Sequence, residues 1–147
     1  MTDSPIEIRA LGPGDDAAVV EAEDLFDGPA QRDAVARFLA DPTHHLLVAY
    51  VDDIPAGFVS GVETTHPDKG VEMFLYELAV GDPFQRKGIA RSLVDALAAV
   101  ARGTGCYGMW VLTDQDNDAA LATYRSAGAT EESTHVMLGW AFSPASS

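Results

Sequence analysis

Gln85-Arg86-Lys87-Gly88-Ile89-Ala90 is the stretch that decides the fold of this 147-residue chain. The apolar run 73–80 before it predicts a strand, and the periodic apolar residues after it predict a helix. A short loop that opens a helix points several backbone N–H groups at one place, where the helix dipole also favours an anion. Three of the nine Lys and Arg residues, Arg86, Lys87 and Arg91, add positive charge there. The stretch therefore predicts a pyrophosphate-binding loop.

The rest of the chain alternates predicted strands with predicted helices. Strands are expected at 6–11, 46–51, 56–63, 73–80, 107–112 and 134–140, and helices at 13–26, 31–39, 88–103 and 117–127. The tail 143–147 is expected to fray. No repeat, linker or low-complexity segment interrupts this order, so we expect a single α/β or α+β sheet domain over residues 1–147.

Composition narrows the class of protein. The chain has no apolar run near 18 residues and no signal-peptide pattern at its start, which predicts a cytoplasmic protein that does not cross a membrane. Its single cysteine, Cys106, is best explained as a small buried residue. A formal net charge of −14 disfavours nucleic acid as a partner. The same charge would attract a cation such as a polyamine or an amino sugar.

Three short stretches of the sequence resemble known binding sites but lack the context or the residues that those sites require. Residues 103–108 match a dinucleotide fingerprint but follow a helix and precede a strand, which is the reverse of the required order. Residues 114–125 begin like a calcium loop but place Ala119 and Arg125 where Gly and Glu are needed. His44 and His45 have no cysteine or carboxylate at metal-ligand spacing. We therefore predict no metal site.

A second motif lies in the last predicted helix. Asn117, Ala120, Tyr124 and Gly128 follow the pattern Asn-x-x-Ala-x-x-x-Tyr-x-x-x-Gly. The first three are spaced i, i+3 and i+7, so they share one helix face. This helix and the loop 85–90, with a predicted strand between them, resemble the GCN5-related N-acetyltransferases (GNAT).

The resemblance implies a GNAT fold of the α+β class, with α/β-type three layers. Its central mixed β-sheet is flanked by helices, and its fourth and fifth strands splay apart to admit acetyl-CoA. The pantetheine arm would pair with the backbone at 78–80, where an N–H polarises the thioester carbonyl, and Tyr124 would protonate the leaving thiolate. The implied cofactor-binding residues are Leu78, Ala79, Val80, Gln85, Arg86, Lys87, Gly88, Ile89, Ala90, Arg91, Asn117, Ala120 and Tyr124.

Glu77 is the candidate general base. It is the one carboxylate in the otherwise apolar run 74–80, and a carboxylate in the middle of a strand is disfavoured unless it is exposed, paired or functional. In a GNAT fold it would lie one residue from the thioester, where it could take the proton of an attacking amine. The alternative is a solvated residue on the outer face of the strand.

The sequence Tyr76-Glu77-Leu78-Ala79-Val80 and the loop after it also resemble the type I aminoglycoside 3-N-acetyltransferases, although those enzymes carry Asp where this chain has Glu77. The resemblance implies acetylation of the 3-amino group of the deoxystreptamine ring of gentamicin-like antibiotics, and a possible homodimer. The candidate residues for binding the polycation are Asp24, Asp27, Glu77, Asp114, Asp116 and Glu131. Acetylation of a polyamine, an amino acid or a protein N-terminus, and a non-catalytic acetyl-CoA-sensing module, stay open as alternatives.

Overall fold

The computed structural model describes residues 4–143. The elements, in chain order, are β1 (Ile6–Leu11), α1 (Asp16–Glu21), a 3-10 turn (Glu23–Leu25), α2 (Arg32–Ala40), β2 (His44–Val51), β3 (Ile54–His66), β4 (Gly70–Val80), a second 3-10 turn (Asp82–Phe84), α3 (Ile89–Gly103), β5 (Met109–Val111) and α4 (Asp118–Ser126). No helix in this part of the chain is long and apolar enough to cross a membrane.

The strands form one mixed sheet in the order β1-β2-β3-β4-β5. Neighbours from β1 to β4 are antiparallel, whereas β5 is parallel to β4. The turn between β2 and β3 consists of Asp52 and Asp53, both with positive φ (52° and 62°), as a tight hairpin turn requires. Local hairpins therefore join β2 to β3 and β3 to β4, whereas α1 and α2 lie between β1 and β2, and α3 lies between β4 and β5.

The two faces of the sheet are covered by different helices, which confirms the predicted three-layer α+β architecture. On one face, α3 contributes Ile89, Leu93 and Leu97, three of the periodic apolar residues from which this helix was predicted, each no more than 1% exposed. Gly61 makes this close packing possible, since a Cβ there would lie 2.9 Å from Leu97 Cδ1. The opposite face packs against α1 and α2 through a second buried cluster.

The fourth and fifth strands diverge, as predicted. Their pairing consists of three residue pairs, Met73 with Met109, Phe74 with Trp110 and Leu75 with Val111. Beyond Leu75, β4 continues to Val80 without β5 beside it. A β-bulge marks the point of divergence, because Ser60 of β3 pairs with Glu77 and Gly61 pairs with Leu75, which leaves Tyr76 as the extra residue.

The prediction of a last strand at residues 134–140 was wrong. Residues 134–140 form no strand, and within the described part of the chain no backbone hydrogen bond ties residues 130–143 to β5. An alternating pattern becomes a strand only where a neighbouring strand supplies hydrogen-bond partners. The fifth strand is also shorter than 107–112, since its pairing with β4 lasts three residues. The fraying expected at 143–147 concerns mostly residues 144–147, which lie outside the described residues.

The first predicted helix, 13–26, is two shorter elements. Gly14 has a φ of +94°, which is incompatible with a right-handed helix, so α1 starts only at Asp16. The Asp15 side chain accepts a 2.8 Å hydrogen bond from the Gly12 N–H and fixes this entry turn. After Glu21 the chain tightens into the 3-10 turn Glu23–Leu25.

Candidate active site

The loop before α3 has the geometry of an anion site. Arg86 (φ +64°) and Gly88 (φ +79°) both adopt left-handed backbone conformations, which turn successive N–H groups toward one side. The first helical hydrogen bond runs from the Ser92 N–H to the Gly88 carbonyl (3.0 Å), so the amides of residues 89–91 have no acceptor inside the helix. A Cβ built on Gly88 meets nothing within 4 Å. The loop therefore offers free amides and open space to a phosphate.

A large cleft extends from this loop into the gap between β4 and β5. Its volume is about 1220 Å³, and its walls include residues 77–80 of β4 and 111–114 after β5. On the side of β4 that faces the cleft, no described strand pairs with residues 77–80. Backbone N–H and C=O groups on that edge are therefore available to an extended ligand.

Helix α4 forms the far wall of the cleft. Asn117 caps this helix by accepting a 3.1 Å hydrogen bond from the Ala120 N–H through its side-chain oxygen. Ala120, Thr123 and Tyr124 line the cleft, and Tyr124 is partly buried. Burial raises the pKa of the Tyr124 phenol, so the hydroxyl keeps its proton at neutral pH and can act as a proton donor.

Glu77 lies where this cleft meets a second cavity, and it lines both. Burial raises the pKa of its carboxyl group, and the negative charge of Asp27 raises it further. A carboxylate with a raised pKa is a better proton acceptor near neutral pH than an ordinary one. The β4 bulge at Tyr76 turns the Glu77 side chain into the junction of the two cavities, which local sequence alone did not specify.

The second cavity is mainly apolar and has a volume of about 590 Å³. It lies between the sheet and the segment that contains α1, the first 3-10 turn and α2. Its lining combines aromatic residues with a few polar ones: Phe26, Phe38, Phe58, Phe74, Tyr76, His44, Ser60 and Glu77. Ser60 is 7% exposed, and its hydroxyl has no hydrogen-bond partner among the described residues. A buried hydroxyl of this kind is available to a bound molecule.

Most predicted site residues lie together in the large cleft. It is lined by the predicted residues Glu77, Leu78, Ala79, Val80, Gln85, Arg86, Gly88, Ile89, Ala90, Arg91, Asn117, Ala120, Tyr124, Asp27 and Asp114. Lys87, Asp24, Asp116 and Glu131 line neither cavity. Among residues 4–143, no three His, Cys, Asp or Glu side chains come close enough to hold a metal ion.

The Gln85 side chain stabilises its own turn as well as lining the cleft. Its amide nitrogen donates to the Val80 carbonyl (3.3 Å) and to Asp82 Oδ1 (3.2 Å). Arg91 lies near Asp95 one helical turn later, with 3.6 Å between Nε and Oδ2, and both side chains are well exposed. Gln85 thus holds the end of β4 against the start of the loop, while Arg91 stays available at the surface.

Comparison with known proteins decides the family. The sequence profile described as "Acetyltransferase (GNAT) family" matches residues 16–129, which contain β4, the loop, α3 and α4. The chain belongs to the GNAT family. An N-alpha-acetyltransferase RimI from Mycobacterium tuberculosis (strain ATCC 25618 / H37Rv) is 35% identical over 127 residues, which are 84% of this chain and 78% of that protein. This GNAT protein is accordingly an N-acetyltransferase.

Other known proteins match this chain over part of its sequence or in its fold. A mycothiol acetyltransferase from Salinispora arenicola (strain CNS-205) is 38% identical over 89 residues, 58% of this GNAT chain but 27% of the relative. An aminoglycoside acetyltransferase from an uncultured soil metagenomic sample, solved with sisomicin, superimposes with a TM-score of 0.86 at 20% identity and covers 94% of this chain and 97% of its own. Aminoglycoside N-acetyltransferase AAC(6')-Iy, solved with CoA, gives 0.77 at 20% identity, with coverages of 96% and 97%.

Sequence reasoning missed the apolar cavity of this GNAT protein. Phe26, Phe38 and Phe74 are far apart in sequence, and each could have been an ordinary core residue. No spacing rule links them, because it is the fold that brings Phe26, Phe38 and Phe74 to one cavity. The one available signal was the amphipathic pattern of residues 31–39. It indicated that one face of this helix is buried, but not which residues cover that face.

Proposed function

We propose that the protein transfers the acetyl group of acetyl-CoA to an amino group of an aminoglycoside, at the 3-amino position of the deoxystreptamine ring. The observation that carries this proposal is the position of Glu77, a carboxylate of raised pKa at the junction of a cofactor-sized cleft and an acceptor-sized cavity. The net charge of −14 and the solved fold relative with bound sisomicin support a cationic amino sugar as the acceptor.

The residues of the cleft fit acetyl-CoA. The free amides of residues 89–91 and the left-handed Gly88 would hold the pyrophosphate, with Arg86 and Arg91 nearby for charge. The unpaired edge at residues 78–80 would bind the pantetheine arm. When bound, acetyl-CoA supplies the acetyl thioester that the acceptor amine attacks. The protein needs no covalent intermediate, since both partners lie in adjoining cavities.

Two proton movements are assigned to side chains of this chain. Glu77 accepts a proton from the acceptor, either from its ammonium form or as the new C–N bond forms. A backbone N–H on the open edge of β4 stabilises the negative charge that develops on the carbonyl oxygen. Tyr124 donates its phenolic proton to the sulfur as the C–S bond breaks, which leaves an amide and free CoA as products.

A protein N-terminus is a second candidate acceptor, favoured by two specific observations. The relative with 84% coverage of this chain is an N-alpha-acetyltransferase. The cavity next to Glu77 is lined mainly by apolar and aromatic side chains, which suit the side chain of an N-terminal residue better than a ring bearing several hydroxyl and amino groups.

A substrate panel with free CoA as the readout separates the two candidates. Sisomicin, a peptide with a free N-terminal amine and the polyamine spermidine would be tested at equal concentration, with the N-acetylated peptide as the matched control. We expect CoA release with sisomicin, and mass spectrometry with NMR should place one acetyl group on the 3-amino nitrogen. CoA release with the peptide and with no deoxystreptamine drug would instead establish the second candidate.

A further inference from the structure

Ser60, in the middle of β3, is an exception in the buried interior. Apart from Tyr50, it is the only residue with a polar side chain that is buried in the described part of the chain. Phe58 and Val62, its neighbours on the same face of the strand, are apolar and line the same cavity. A buried hydroxyl costs free energy unless it is hydrogen-bonded. An apolar residue would therefore suit the free protein better at this position.

The Ser60 hydroxyl has no partner within the protein. Among residues 4–143, two buried side-chain polar atoms make no hydrogen bond, Ser60 Oγ and His44 Nδ1, and both side chains line the apolar cavity. His44 Nδ1 still lies 3.0 Å from Asp41 Oδ2, an ion-pair contact. Nearly all buried polar groups in native proteins are paired. We therefore expect the Ser60 hydroxyl to pair with a molecule that enters the cavity.

Ser60 lies directly opposite Glu77. The two residues are partners in the ladder between β3 and β4, and both line the apolar cavity. Residues in this relation have Cβ atoms about 4.5–5.5 Å apart. Because Ser60 Oγ has no hydrogen-bond partner in the described structure, it does not bond the Glu77 carboxylate. The cavity thus offers a hydroxyl and a carboxylate side by side, as two separate binding points.

We propose that Ser60 determines which acceptor is used, by donating a hydrogen bond to an oxygen on the carbon next to the one that carries the reacting amine. Glu77 binds the amine itself, and the rest of the acceptor occupies the apolar cavity. The inference rests on the proposed function, because it takes Glu77 as the group that meets the acceptor nitrogen. Amino sugars commonly carry an oxygen in this position, and a protein N-terminus carries its first carbonyl oxygen there.

Two small amines that differ by one hydroxyl test this directly. Leucinol and 4-methylpentan-2-amine share the amine and the branched apolar body, and only leucinol has a hydroxyl on the neighbouring carbon. The ratio of their kcat/KM values, leucinol over its analogue, should be about 10-fold smaller for Ser60→Ala than for the wild type, as the loss of one hydrogen bond predicts. The different basicities of the two amines cancel, since both proteins receive the same pair.

Binding without turnover gives a second readout. Dissociation constants of the two amines, measured by NMR titration of the protein with CoA bound, should show the same loss of preference in Ser60→Ala. The affinity for acetyl-CoA should not change, because Ser60 does not line the large cleft. Thr64→Val is the matched control on the same strand. The Thr64 hydroxyl donates to the Glu72 carbonyl (3.1 Å) and lines neither cavity, so this variant should keep the wild-type ratio.

Thermal unfolding separates recognition from a structural role. Ser60→Ala should be at least as stable as the wild type, because its hydroxyl has no partner in the free protein. A clear loss of stability would mean that the hydroxyl is already paired, for example through a buried water, and would overturn the inference. An equal ratio of the two amines in the wild type and in Ser60→Ala would overturn it as well.

Sisomicin and leucinamide identify the source of the oxygen. A fall in kcat/KM with Ser60→Ala for sisomicin supports an amino-sugar oxygen, and a fall for leucinamide supports a carbonyl oxygen. A fall for neither, while either one is acetylated by the wild type, would refute the role of Ser60 and leave the proposed function standing. An absence of acetylation with every amine would refute the proposed function, and the NMR titration would still decide whether Ser60 binds the oxygen.

Discussion

The two halves of the candidate active site are built differently. The half proposed to bind the cofactor consists of the loop at residues 85–88, the start of α3, the open edge of β4 and one face of α4, and its loop and strand edge present backbone groups. The acceptor half consists of side chains from α1, α2, β3 and β4 that meet around an apolar cavity. A backbone site depends on the local conformation of a few consecutive residues, whereas a side-chain site depends on long-range packing. The first is therefore visible in a short motif and the second is not.

Glu77 belongs to both halves, so its removal should have the largest effect. Glu77→Gln keeps the shape of the side chain but cannot accept a proton, and kcat should fall by about 10²–10⁴-fold. The affinity for acetyl-CoA, measured by calorimetry, should stay nearly unchanged. Glu72→Gln is the matched control on the same strand, since Glu72 lines neither cavity. Full activity of Glu77→Gln would show that Glu77 is not the general base.

Tyr124→Phe should produce the next largest effect. It removes the phenolic proton from the partly buried side chain and keeps its packing against α3. We expect kcat to fall by about 10²-fold, the lower end of the usual range for proton transfer, with a smaller change in KM. Tyr107→Phe, at an exposed tyrosine outside both cavities, should keep wild-type kinetics. A change confined to KM would contradict the role of proton donor.

Gly88→Val tests the cofactor half alone. A β-branched residue at a φ of +79° is strained, and its side chain would enter the space above the loop amides. The dissociation constant for acetyl-CoA should rise about 10-fold, equivalent to roughly 1.4 kcal/mol. Gly105→Val is the matched control, because Gly105 has a φ of +83° and equally open surroundings but lies outside the cleft. Both variants should lose similar thermal stability, and only Gly88→Val should lose affinity.

Asp27→Asn should produce the smallest effect, a shift in pH dependence. The negative charge of Asp27 adds to burial in raising the pKa of Glu77. Removing that charge lowers the pKa, so Glu77 stays ionised to lower pH and the acid limb of the kcat profile should move to lower pH. Burial persists, so the limb should remain above that of an ordinary carboxyl group. A limb that moves to higher pH would contradict the electrostatic link between the two residues.

The predicted site residues that the structure brings together in the large cleft share a physical cause. The loop 85–90 and the helix 117–127 were predicted because a left-handed glycine, a helix N-terminus and an N-cap leave local signatures. The acidic residues Asp24, Asp116 and Glu131 were predicted as substrate ligands and line neither cavity. The charge of a residue does not tell in which direction its side chain points. In this protein the packing of the elements sets that direction. The expected strand at 134–140 was wrong for a related reason, since a strand requires a neighbour.

The sequence by itself determined the family, and it predicted the phosphate loop, the order of elements around it and the candidate acid and base, since these depend on residues close together along the chain. Only the tertiary structure decided where β4 and β5 part, how the bulge at Tyr76 aims Glu77, and that aromatic residues from distant elements enclose a cavity beside it. These features arise from the packing of helices on a twisted sheet. Packing depends on contacts between distant residues, which no single stretch of sequence contains.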